Sequence, residues 1–364
     1  MRHPWLVRPG SSLAKTCLRI GLPIEGLVKK TIFSQFCGGE TIEDSDPTIA
    51  TLAEQGVGSI LDYSAEGKER ETVFDATTEE LLQTVERAGQ EERIPFSVFK
   101  VTGIGRYELL EKVSTGATLS EEEEAEYQRI RERVVRICEK AYERNVRIFI
   151  DAEESWYQDA IDDMTREMMR AYNQDKARIF TTVQLYRTDR LDFLDQEMKK
   201  AKEEGFCFAV KLVRGAYMEK ERKQAAEKNI PDPIQPDKTK TDEAFDRAID
   251  RCLEGLDDIA FCAGTHNEAS CAYLAERMEK MGLEKDDPRI HFSQLLGMGD
   301  HISFVLAANG YNVSKYVPYG PVRDVLPYLT RRAQENTSVQ GQSNRELHLI
   351  EQEMDRRKAE RKAS

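Results

Sequence analysis

The stretch FCFAVKLVRGAY, residues 206–217, begins as an almost unbroken apolar run and ends in Lys211, Arg214 and Gly215. So continuous an apolar run, rich in aromatic and β-branched residues, predicts a strand buried on both faces, which is the condition of a parallel sheet. Parallel strands need crossover connections, and amphipathic helical patterns flank the run on either side. Working outward, the same rhythm recurs in GVGSILDYS (56–64), IPFSVFKVT (94–102), VRIFIDAEE (146–154), ARIFTTVQLY (177–186), IAFCAGTHN (259–267), RIHFSQLLG (289–297) and YNVSKYVPYG (311–320). Eight strand–helix units over roughly 280 residues predict an α/β chain folded as a (β/α)8 barrel rather than a doubly wound sheet.

Two stretches depart from the rhythm. Between the second and third strands lies an extra helical pattern, EEEEAEYQRIRERVVRICEKAYERN, preceded by Ser120, which with Glu123 forms the signature of a capping box. Its acidic start reads as a solvated face at a favourable helix N-terminus. After the fifth strand, Pro231, Pro233 and Pro236 forbid a helix across 228–237 and predict a long loop.

The 364 residues are 40% hydrophobic, enough for a sizeable core, and Lys+Arg of 53 against Asp+Glu of 66 give a formal net charge of -13. That balance repels a phosphate backbone, so no nucleic-acid partner is expected. The seven cysteines form no CxxC pair and sit mostly in apolar segments, which suits free thiols in a reducing compartment and predicts no zinc site and no disulfide framework. No apolar run is long enough to span a bilayer. Residues 1–33 carry Arg2, Arg8, Lys15, Arg19, Lys29 and Lys30 against the single acid Glu25. They are read as a helical arm, with a transit peptide or contact with an anionic membrane surface as alternatives.

In a barrel of this kind the chemistry gathers at the carboxyl ends of the strands. Those ends supply Lys100, then Asp151, Glu153 and Glu154, then Gln184, Lys211, Arg214 and Tyr217, and finally Thr265, His266 and Asn267. Each has a plain alternative: either lysine pairing with Asp151, Asp151 and Glu153 holding a hard cation, His266 as a capping residue. Together they predict one polar cavity, because buried charges need partners or ligands. Gly103-Ile104-Gly105 lacks the third glycine of a dinucleotide fingerprint, and no phosphate-binding P-loop is present, so a Rossmann domain is excluded. Backbone amides at Arg214-Gly215-Ala216, beside Thr265 and His266, remain a candidate pyrophosphate cradle. Near the end, YLTRRAQEN (328–336) puts Tyr328, Arg331, Arg332 and Glu335 on the edge where a docked helix normally carries leucines.

Four segments, IDAEE (150–154), KLVRGAYMEKE (211–221), THN (265–267) and YVPYG followed by YLTRRAQEN (316–336), together resemble the FAD-dependent proline dehydrogenase family in order and spacing. The opening FCGGETIEDSDPTIATLAEQGVGSILDY is similar to its monofunctional, mitochondrial-like branch. The resemblance implies a distorted (β/α)8 TIM-type barrel with the eighth helix over its mouth. It implies oxidation of L-proline to 1-pyrroline-5-carboxylate by hydride transfer to FAD, electrons passing to a membrane quinone, and a separate pyrroline-5-carboxylate dehydrogenase downstream. The substrate carboxylate falls to Lys100, Arg331 and Arg332, and the ring to Tyr217, Tyr316 and Tyr328. Asp151 and Lys211 take the catalytic positions, with Asp151 linked to the active-site tyrosine and lysine. FAD contacts are implied for Ala152, Gln184, Val213, Arg214, Gly215, Ala216, Thr265, His266, Asn267 and Glu335, and no metal. Many bacterial members carry arginine at the Lys211 position, which keeps a cation but loses a bidentate fork. Relatives that prefer hydroxyproline tend to carry a smaller residue at Tyr316, so the phenol argues for proline.

The residues taken alone also admit a Schiff-base aldolase working through Lys100 or Lys211, or a barrel that only binds. The expected organisation is an arm over 1–50, a barrel over 51–340 and a charged helical tail over 341–364, without the aldehyde-oxidising domain of larger relatives. The expected location is a bacterial cytoplasm, peripheral to the inner membrane, or a mitochondrion in a eukaryotic host.

Overall fold

The computed structural model describes residues 32–64, 70–338 and 356, with only the backbone of 333–338. Eight parallel strands close into a barrel in sequence order: β1 (Gly58–Tyr63), β2 (Phe96–Phe99), β3 (Arg147–Ile150), β4 (Ile179–Gln184), β5 (Phe208–Val213), β6 (Ile259–Gly264), β7 (Ile290–Leu295) and β8 (Val313–Tyr319). Each lies inside the run that predicted it, shortened by a few residues where the polar turn takes over.

Pairing register fixes what faces inward. Phe96 stands opposite Arg147, Phe149 opposite Phe180, Thr182 opposite Lys211, Lys211 opposite Cys262, and Tyr316 opposite Ile60. Because side chains alternate along a strand, the interior is built in levels. An aromatic cluster of Phe96, Phe149 and Phe180 fills the lower and middle levels, with Phe96 and Phe149 stacked at 4.4 Å. Above it, polar residues take over at the carboxyl ends. A larger aliphatic layer lies between strands and helices. Truncating Phe149, which is fully buried, to alanine costs about 3–5 kcal/mol.

The capping box of Ser120 and Glu123 forms as read and starts the helix Glu121–Glu143, four acids in its first turn. The proline-bearing segment is a loop between the helices Met218–Lys228 and Lys238–Glu254. It is stitched to the end of β4: the amide of Gln235 donates to the Tyr186 carbonyl at 2.7 Å and that of Thr188 to the Pro233 carbonyl at 2.9 Å.

Of the expected N-terminal arm, residues 1–31 lie outside the described residues. The remainder contributes a short helix, Ser34–Phe36, and the start of the helix Asp46–Ala53. Gly39 pairs with Tyr319 at the end of β8. The expected C-terminal tail also lies outside them, except for Arg356. No helix among the described residues is long and apolar enough to cross a membrane.

Candidate active site at the carboxyl mouth of the barrel

Asp151 follows β3 directly and is the hub of the mouth. One of its oxygens accepts from the Lys211 ammonium, and the other lies 3.5 Å from Lys100 Nζ. The phenol of Tyr316, on β8, sits 3.5 Å from the same carboxylate and also accepts from Lys211. Burial works to raise the Asp151 pKa, but the charges of Lys211 and Lys100 and their hydrogen bonds overcome it and hold the group below its ordinary value. Burial first, and then the Asp151 charge, push the Tyr316 phenol well above its ordinary value, so it keeps its proton. Lys211 is itself buried, its Nζ 4.9 Å from the ring centroid of Phe149 and 4.7 Å from that of Tyr316. The plain alternative for the two lysines therefore holds in part: both engage Asp151, and they do so at the mouth of the cavity.

The neighbouring acids of that segment have other work. Glu153 accepts from the backbone and hydroxyl of Thr102, and burial pushes its carboxyl up to about 7. Glu154 accepts from the Tyr157 hydroxyl and from Lys220. Among the described residues no group of three or more His, Cys, Asp or Glu is arranged to hold a metal.

Along β4 to β6 the predicted cofactor positions form one wall. Gln184 donates to the Glu153 carbonyl at 2.6 Å, which fixes its amide and leaves the side-chain oxygen to accept. The Arg214 guanidinium is held by Asp242 at 2.7 Å, Thr265 at 2.6 Å and Ser270 at 2.9 Å, and stacks on Phe245 at 4.4 Å. So braced, its remaining N–H groups are oriented before any anion arrives. Gly215 has φ +130, and a Cβ there would stand 2.3 Å from the Tyr186 ring, so only glycine lets the chain turn at this point. Val213 is half-buried, Ala152 buried, and Gly215 and Ala216 exposed. His266 is neutral: burial, then the charges of Lys315, Arg332 and Arg214, lower its pKa to about 3. Asn267 is committed locally, its side chain accepting from the amides of Ala269 and Ser270 to cap the helix Glu268–Lys280.

This donor set fits a flavin dinucleotide. A braced arginine beside exposed backbone suits a pyrophosphate, and the fixed Gln184 oxygen together with the Lys211 cation suits a ring system that offers both donors and acceptors.

Only Gly320 and Pro321 separate β8 from the last helix, Val322–Ser338, so that helix must turn back at the mouth. Val322, Val325, Tyr328 and Leu329 pack against Phe33, Phe36 and Met298. Tyr328 and Arg332 are buried, with the guanidinium 5.3 Å from the Tyr328 ring centroid, and Arg331 is half-buried. Two positions of this polar edge, Tyr328 and Arg332, are thus buried rather than solvated. Tyr217 caps the start of the Met218–Lys228 helix, half-buried, with Lys220 Nζ 5.3 Å from its ring. The Glu335 side chain lies outside the described residues.

Sequence reading missed Asp62, a buried acid at the end of β1 whose charge reaches Tyr316 and the Cys37 thiol. It also missed Asp242 and Ser270 as the braces of Arg214. The signal for Asp62 was present, a lone acid in an otherwise apolar strand.

A family model described as proline dehydrogenase matches residues 45–345. The chain is 36% identical over 333 residues to the carbapenem antibiotics biosynthesis protein CarD of Pectobacterium carotovorum subsp. carotovorum, covering 92% of this chain and 86% of that one. It is 44% identical over 241 residues to the mitochondrial proline dehydrogenase 1 of Homo sapiens, covering 65% of this chain but 40% of the relative. The fold matches the crystal structure of proline utilization A from Bdellovibrio bacteriovorus inactivated by N-propargylglycine with a TM-score of 0.77 at 20% identity, over 86% of this chain and 34% of that one.

Proposed function

The chain belongs to the proline dehydrogenase family, and on that premise we propose that it oxidises L-proline to 1-pyrroline-5-carboxylate with FAD bound along the ends of β4, β5 and β6. The observation that carries the reading is the Lys211–Asp151–Tyr316 cluster, with Lys100 on its other side, beneath a helix that buries Tyr328 and Arg332. In this reading Lys100, Arg331 and Arg332 take the substrate carboxylate, two planar guanidinium groups gripping it while the ammonium adds a point charge. Tyr217, Tyr316 and Tyr328 wall the ring. The protonated Tyr316 phenol and the ionised Asp151 hold Lys211 fixed, so this cation would not need to reorganise during turnover. Arg214, with Gly215, Ala216, Thr265 and His266, would hold the cofactor's phosphates and sugar, and Gln184 and Lys211 its ring. Bound FAD would supply the hydride acceptor for the carbon beside the proline nitrogen.

A membrane quinone is the proposed final acceptor, met peripherally, and a separate pyrroline-5-carboxylate dehydrogenase would consume the product. The proposed setting is a bacterial cytoplasm against the inner membrane, or a mitochondrion in a eukaryotic host. The bulk of Tyr316 favours proline over hydroxyproline. An aldolase draws less support, since both candidate lysines engage one carboxylate. The test is spectroscopic: the purified protein is expected to be yellow and to bleach anaerobically with proline. A colourless protein trapped by borohydride with a carbonyl substrate would replace this reading with the aldolase.

A further inference from the structure

A cavity of about 770 Å³ opens at the amino-terminal end of the barrel, between the starts of β2, β3, β4, β6 and β7. That size falls within the range of small-molecule sites. Part of its wall is apolar, formed by Ile94, Pro95, Val146, Phe180 and Pro288, and five basic residues, Arg144, Arg147, Lys176, Arg178 and Arg289, also line it. Three of these cations have carboxylate partners: Arg144 lies 2.8 Å from Glu86, Arg289 2.6 Å from Asp287, and Arg178 is bridged to Asp175.

Arg147 differs. Its guanidinium lies 4.2 Å from the Phe96 ring centroid and donates to the Pro288 carbonyl at 3.2 Å, and it forms no ion pair among the described residues. Burial lowers its pKa. The residue is half-buried, so its guanidinium, with no ion pair among the described residues, keeps a positive potential on the cavity that a bound anion would answer.

We propose that this floor cavity binds a small organic monocarboxylate, with the acid group on Arg147, Lys176 at the entrance, and the apolar body against Ile94, Pro95 and Pro288. The charge balance selects one negative charge. Of the two lining acids, Glu91 is engaged by Arg93 at 2.5 Å, which leaves exposed Glu92 against Arg147 and Lys176, a surplus of one positive charge. A dianion such as phosphate would overshoot that surplus and gain nothing from the apolar wall. The site is separate from the mouth, since Arg147 begins the strand that Asp151 follows, roughly 13 Å away at the rise of a strand.

Calorimetric titration of the full-length, FAD-loaded protein with benzoate tests the proposal. With the carboxylate clamp at the mouth weakened by Arg332→Met, one saturable site is expected to remain, and adding Arg147→Met to that variant weakens it at least about tenfold and adding Lys176→Met several-fold. No saturable binding in Arg332→Met, or binding there that is unaffected by adding Arg147→Met, overturns it. Should Arg147→Met fail to fold, exposed Lys176 decides the matter, and an unchanged Kd on adding Lys176→Met to Arg332→Met overturns the proposal.

Discussion

The two ends of this barrel treat buried charge in opposite ways. At the mouth, two lysines converge on Asp151, one of them also bonding a protonated tyrosine, so these three charges hold one another. At the floor, Arg147 rests on an aromatic ring and one carbonyl and forms no ion pair among the described residues. The first arrangement positions its side chains by mutual hydrogen bonds. The second leaves a positive potential unanswered. The difference teaches that burial of a cation and its fixation are separate properties, and a reaction centre needs both.

The largest effect that would break the contrast is Asp151→Ala. Removing the shared acid leaves the buried Lys211 ammonium and the half-buried Lys100 without their carboxylate, and a loss of about 3–5 kcal/mol in urea denaturation is expected. A change within experimental error would mean that the two lysines are well solvated and that the mouth is not a charge-fixed site.

Next comes Arg332→Met, which on the proposed reading removes one charge-assisted contact to the substrate. The apparent KM for proline should rise by the equivalent of about 2 kcal/mol, with the fold retained. An unaltered KM would take Arg332 out of the substrate site.

Smaller is the pH effect of Glu153, behind the mouth. Its folded pKa of about 7 stands above the ordinary 4.5, so the folded state holds the proton more tightly than the unfolded chain. The resulting stabilisation is complete below about pH 4.5 and is lost as pH rises through about 7. Relative to Glu153→Gln, the wild type should lose roughly 1–3 kcal/mol across that window. Stability profiles that run parallel would show that Glu153 ionises as freely in the folded protein as in water.

The smallest effect is expected at the floor. Arg147→Met removes the guanidinium's contact with the Phe96 ring and its bond to the Pro288 carbonyl but breaks no ion pair, so stability should fall by only about 1 kcal/mol. A loss as large as that of Asp151→Ala would erase the distinction between the two ends.

Much of this was legible in the chain. Eight apolar runs gave eight strands, because a strand covered on both faces must be apolar almost throughout. Lys100, Asp151, Gln184 and Lys211 were legible as candidate site residues because each interrupts or ends such a run, where a polar group has no structural excuse. Asp62 went unread although it interrupts β1 in the same way, and only the register, which sets Tyr316 one level below it, shows that it faces the same cavity. Asn267 was read as a cofactor contact, but its position one residue before a helix is also an N-cap, and its side chain is occupied there. The inward turn of Tyr328 and Arg332 was visible only through family resemblance, since helical spacing cannot say which face a helix buries.

By itself, the sequence determined the number of strands, their parallel order, the helix cap at Ser120, the loop forced by its prolines, and the end of the barrel where polar groups gather. Those are local properties, set by periodicity, backbone restriction and the cost of burying charge. Only the tertiary structure decided that Asp151 serves two lysines at once, that Asp242 braces Arg214, and that Arg147 forms no ion pair among the described residues. Such pairings join residues far apart in the chain, and Coulombic and hydrogen-bond energies depend on distances that exist only once the barrel has closed.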